Sequence, residues 1–167
     1  LRRERVFAVV RHALAVASRD GFRLLQFSVQ SDHLHLIVEA DAPTRLARGV
    51  QGLAIRVAKA MNHVLRRHGP VWGDRYHARA LTTPREVRNA FAYVLNNWRK
   101  HQAGSRGLDP CSSAAWFSGW RTPVATPVSA APIATARTWL ARIGWRRHAL
   151  LDVGETPRPV ARPRMRR

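Results

Sequence analysis

Cysteine is almost absent from this chain: Cys111 stands alone among 167 residues. A single thiol excludes an internal disulfide framework and a cysteine-rich zinc site, and it fits a reducing cytoplasm. Acidic side chains are scarce as well, 10 Asp and Glu against 29 Lys and Arg, which leaves a formal charge of +19 and a pI near 12.0. Such a field draws polyanions and opposes self-association, so nucleic acid is the leading partner. No apolar run approaches the roughly 18 residues of a membrane span. No signal peptide, internal repeat or glycine-rich phosphate loop is visible.

What the chain does have is 46% apolar residues, enough for one domain with a real core, perhaps carrying an appendage. It begins at Leu1 directly in helix-like sequence, which reads as a truncated start. Val6, Val9, Val10, Ala13, Leu14 and Ala17 recur at helical spacing and predict a first helix over residues 2–18. Leu25, Phe27 and Val29 alternate with Gln26 and Ser28 and predict a half-buried strand.

The stretch Ser31-Asp32-His33-Leu34-His35-Leu36-Ile37-Val38-Glu39 predicts a second strand, entered by a tight Ser31-Asp32 turn and paired with the first as an antiparallel hairpin. On a strand, side chains at i and i+2 share a face. His33 and His35 therefore project together, with Leu34, Leu36 and Val38 toward the core. Two imidazoles on one edge can hold one metal ion, although a bare His-x-His is more often a solvated face.

Asp41-Ala42-Pro43-Thr44 opens a longer helix with Leu46, Val50, Leu53, Val57, Met61 and Val64 as its seam, ending at Gly69-Pro70. Arg45, Arg48, Arg56, Lys59, Arg66 and Arg67 lie largely off that seam and form a flank suited to phosphates. Val71 to Arg75 is a loop, and Tyr76 to Leu81 has the pattern of another strand. Thr83-Pro84-Arg85-Glu86 is a capping box with Pro at the first helical position. In the helix it starts, Val87, Phe91, Val94, Leu95 and Trp98 form the apolar stripe. Tyr93 falls beyond the edge of that arc, beside Asn89 and Asn97, and Asn97 at i+4 neighbours it. Packing is the expected role of Trp72 and Trp98, with stacking on unpaired bases the alternative.

Beyond Cys111 the chain changes character. A Thr/Pro/Ala/Val run to Pro132 reads as a linker, Thr138 to Leu150 as a short amphipathic helix, and residues 157–167 as a disordered Pro/Arg tail. Between 121 and 167 ten arginines face two acids.

Three stretches stand in a fixed order: the histidine pair, Gly69-Pro70-Val71-Trp72-Gly73-Asp74-Arg75-Tyr76-His77, and Tyr93-Val94-Leu95-Asn96-Asn97. Over roughly residues 1 to 120 this set resembles the single-tyrosine HUH transposases, in particular the REP-associated tyrosine transposase branch. The resemblance implies an α+β, ferredoxin-like antiparallel sheet with packed helices, without its first strand, over residues 1–120. A basic helical and disordered extension follows over 121–167. It implies metal-dependent cutting and rejoining of single-stranded or hairpin DNA in the cytoplasm, on the nucleoid. His33, His35 and Asn97 would hold Mg or Mn, with Tyr93 as nucleophile. Arg75, Arg99 and Lys100 join the helix arginines as DNA contacts. Members commonly carry Asn-Pro where this chain has Asn97-Trp98. The alternative is a noncatalytic remnant that binds DNA or RNA hairpins.

Overall fold

The computed structural model describes residues 1–19, 21–100 and 107–156, with only the backbone of Lys100. The expected tail at 157–167 lies outside the described residues. The architecture is α+β, as expected: an antiparallel hairpin of β1 (Phe22–Val29) and β2 (Leu34–Ala40) packed between helices.

On one face lie α1 (Glu4–Ala15) and α2 (Pro43–Val64). The first presents Val6, Val10, Ala13 and Leu14, the second Leu53, Val57 and Met61, each at intervals of three or four that put them on one side of a helix. They close over Leu24, Phe27 and Val29 of the sheet. On the other face lies α3 (Pro84–Asn96), whose Val87, Phe91, Val94 and Leu95 close over Leu25 and Ile37.

Two expectations about β1 change. Its alternation is broken by a bulge between Leu24 and Gln26. An extra residue there switches the pleat, so Leu24 shares a face with Phe27 while Leu25 turns to the α3 side. The strand is also buried at all eight positions, not half-buried. Helices cover both faces, and its free edge is occupied by later chain. Val29 N donates to Cys111 O at 2.8 Å, Ser113 N to Phe27 O at 3.0 Å and Ala134 N to Leu24 O at 2.8 Å. Buried Gln26 and Ser28 find partners in Ser113 and Asp109.

The strand expected at Tyr76 to Leu81 is not formed. Its small apolar positions, Ala78 and Ala80, bury too little to offset the entropy of ordering a strand, and Tyr76 stays 56% exposed. The loop instead anchors through Trp72, whose indole Nε1 donates to Ala54 O at 3.0 Å. Packing is thus the role of Trp72, and of Trp98, which is 9% exposed.

The amphipathic helix expected at Thr138 to Leu150 is split into α4 (Trp139–Arg142) and a 3-10 turn (Gly144–His148). Gly144 breaks it where a Cβ would come within 2.6 Å of the Trp139 ring. Trp145 and Leu151 from this segment share a cluster with Phe91, Phe117 and Trp120, so that cluster draws on both sides of position 120.

Candidate functional site

The turn between the strands closes through Gln30 N donating to His33 O at 2.9 Å. His33 sits in that turn, immediately before β2, and His35 is within the strand. Even so, their rings meet edge to face, with centroids 4.6 Å apart. Their Nε2 atoms lie 3.1 Å from each other.

Asp32 fixes the arrangement. Its Oδ1 lies 2.7 Å from His33 Nδ1, so Nδ1 carries the proton and the Nε2 lone pair of a neutral His33 points at His35. The hydrogen bond from His33 in turn holds the Asp32 carboxyl below its ordinary range. Sequence reasoning took Asp32 only as a turn former; its place directly before a candidate ligand was the available signal.

The capping box is present in full. Thr83 Oγ1 accepts from Glu86 N at 3.2 Å, and Glu86 Oε2 accepts from Thr83 N at 3.1 Å. It starts α3 in a phase that puts Phe91, Val94 and Leu95 inward and leaves Tyr93 half-buried at the edge of their cluster. From there the Tyr93 ring packs against His35, centroids 5.0 Å apart at 75°. His33, His35 and Tyr93, separated by up to sixty residues of sequence, form one contiguous patch that reaches solvent beside His33.

The donor set suits a divalent ion. Two ligand atoms at right angles on a small cation, each about 2.1 Å from it, lie about 3 Å apart, close to the 3.1 Å between the Nε2 atoms. No group of three His, Cys, Asp or Glu suited to a metal occurs among the described residues. Asn97 closes α3 and is 2% exposed. This third expected ligand sits buried where α3 passes into a 3-10 turn (Asn97–Lys100), one helical turn beyond Tyr93.

The basic residues divide. Arg45, Arg48 and Arg56 line one groove, together with Arg19, which sequence reasoning missed. Arg66 and Arg67 lie just past the opposite end of α2, where Arg67 Nε donates to Asn62 at 3.1 Å. Lys59 and Arg75 are exposed. Arg99 donates to Gly107 O at 2.8 Å with its guanidinium 5.9 Å from the Trp98 ring centroid. The side chain of Lys100 lies outside the described residues.

No helix among the described residues is long and apolar enough to cross a membrane. Comparison with curated proteins and with solved structures returns no match. A family model described as "Transposase IS200 like" matches residues 3–97, a span that runs from the start of α1 through Tyr93 to Asn97. With more than half its length matched, including both strands and the helix that carries Tyr93, the chain belongs to the IS200-like transposase family.

Proposed function

We propose that this transposase cuts and rejoins single-stranded DNA beside hairpins, in the manner of the REP-associated branch, with Tyr93 as nucleophile. The observation that carries the reading is the ring-to-ring succession His33, His35, Tyr93. Residues 1–120 would carry the chemistry, and the basic segment 121–167 would add DNA affinity. His33 and His35, joined by Asn97 from α3, are the residues to hold Mg or Mn. Such an ion offsets phosphodiester charge that otherwise repels an oxygen nucleophile, an effect worth several kcal/mol.

The remaining work falls to the chain. Asp32 keeps His33 in one tautomer and one orientation. The Tyr93 phenol gives up its proton as its oxygen bonds to phosphorus. The bond from phosphorus to the 3′ oxygen breaks, and that oxygen leaves as a 3′-OH. The 5′-phosphotyrosine keeps the ester bond, so a second 3′-OH can attack it, restore the phenol and join two ends without ATP. Conserving that bond is the physical reason to favour strand transfer over hydrolysis.

A labelled hairpin oligonucleotide incubated with the protein in Mg or Mn tests this. A covalent adduct that survives denaturing electrophoresis, is lost in Tyr93→Phe and is kept in Tyr76→Phe is the expected result. An adduct that persists in Tyr93→Phe overturns the assignment. A sheet of two strands among the described residues, together with the +19 charge, favours a second reading, a hairpin-binding remnant. That reading predicts hairpin binding without cleavage in either metal.

A further inference from the structure

The groove lined by Arg19, Arg45, Arg48 and Arg56 lies between the turn leading into β1 and residues 45–56 of α2. It is at the far end of the hairpin from the histidines. Phe22, on its floor, pairs with Ala40, whereas Ser28 pairs with His35. At about 3.3 Å per residue, the groove is about 20 Å along the strand from the histidine pair.

Three features set it apart from a generally basic surface. Among the described residues no carboxylate lines it, and four guanidinium groups share one concavity. Arg48, Gly52 and Arg56 stand at i, i+4 and i+8, one row along α2. Finally, Gly52 has no packing reason to be glycine. A Cβ at Gly49 would come 2.2 Å from the Phe22 ring, which accounts for that residue, but at Gly52 nothing among the described residues lies within 4 Å. Glycine inside a helix costs about 1 kcal/mol relative to alanine. Here it leaves bare helix backbone at the bottom of an arginine-lined groove, the condition under which another backbone can approach closely.

We infer that this groove is a second DNA site, seating a phosphodiester segment against Gly52 between Arg48 and Arg56, well away from the bond being cut. The inference rests on the reading of DNA as substrate, but not on Tyr93 chemistry. A strand held at both ends of the hairpin is fixed in register, so the groove acts as a positioning site for DNA that flanks the reacting phosphate.

Binding of fluorescent single-stranded DNA, measured by anisotropy in EDTA, isolates the groove from cleavage. Arg48→Gln/Arg56→Gln is expected to weaken binding at least tenfold and to lower the salt slope by about 1.4, at about 0.7 for each phosphate the protein no longer neutralises. Gly52→Leu fills the groove at unchanged charge and is expected to weaken binding several-fold with the melting temperature retained. Arg66→Gln/Arg67→Gln removes the same charge outside the groove and is expected to cost less than threefold.

Equal losses in the two arginine pairs, or wild-type binding by a folded Gly52→Leu protein, overturn the site. So does a thermal shift from inorganic phosphate equal to that from DNA at matched phosphate concentration. If the groove variants lose binding and no tyrosine adduct forms in Mg or Mn, the site stands and the strand-transfer reading fails. An adduct accompanied by unchanged binding in the groove variants gives the reverse.

Discussion

His33 and His35 bring their Nε2 atoms within 3.1 Å of each other across a turn and a strand entry. Two nitrogen atoms at that distance need a proton or a cation between them, since two facing lone pairs repel. Asp32 holds the opposite side of the first ring at 2.7 Å, so the proton of a neutral His33 is already placed there.

The first prediction concerns that carboxylate. Outer partners of ligating histidines typically govern metal affinity or activity by about 10–100-fold. Asp32→Ala is therefore expected to raise the Mn concentration needed for half-maximal adduct formation by one to two orders of magnitude. His33→Ala and His35→Ala are expected to abolish it. Wild-type metal dependence in Asp32→Ala would show that the carboxylate does not orient the ring.

The capping box gives a second prediction. Thr83 and Glu86 each satisfy the other's backbone N–H, and Arg79 pairs with Glu86 at 2.7 Å. Losing a cap side chain costs about 1 kcal/mol. Thr83→Ala should lower the unfolding free energy by that amount, seen as a lower urea midpoint with an unchanged slope. Tyr93 lies more than two turns inside α3 and its packing on His35 should survive, so adduct formation at 25 °C is expected to stay within twofold of wild type.

Much of this was legible in the residues because it was written locally. The capping box, the His-x-His pair and the off-stripe position of Tyr93 are each set by neighbours two to four positions away: the box forms in full, the two rings meet although His33 precedes the strand, and Tyr93 lies at the edge of its cluster. What escaped was decided by distant chain. The alternation of β1 gave no sign of the bulge that turns Leu25, nor of residues 111–113 closing its free edge. Tyr76 to Leu81 has a strand's pattern but too little side chain to bury. The buried state of Asn97 depends on what packs around the end of α3, which the i+4 spacing from Tyr93 does not encode.

Trp145 tests how far α3 depends on the chain beyond position 120. It is 2% exposed, with its ring 5.3 Å from Phe91 of α3 and 5.5 Å from Phe117. Trp145→Ala empties a site at the centre of that cluster, a change that costs about 3–5 kcal/mol. Unfolding followed by circular dichroism should show one transition moved to lower urea. A separate early transition, with the remainder of the protein unaffected, would show that residues 139–151 are a detachable unit.

Glu39 gives the last prediction, through pH. It is buried on β2 and accepts hydrogen bonds from Arg23 Nε at 3.2 Å, Arg137 N at 2.9 Å and Thr138 N at 3.0 Å, with a further bond from the Thr138 hydroxyl. Burial alone pushes its carboxyl up; the bonds from Arg137, Thr138 and Arg23 outweigh burial and hold it below its ordinary value. A carboxyl with a depressed folded pKa adds stability in full above its unfolded pKa of about 4.3, and loses it as pH falls through the lower folded value. Acid should therefore release residues 137–138 from the sheet as Glu39 protonates. Glu39→Ala leaves the largely buried Arg23 guanidinium short of one partner and is expected to cost about 3–5 kcal/mol at pH 7. Glu39→Gln should cost less and flatten the fall in stability below about pH 4.3, measured by urea unfolding at each pH. An acid limb equally steep in Glu39→Gln would assign the acid sensitivity to other carboxylates held low by arginine, Asp41 beside Arg23 and Glu155 beside Arg88.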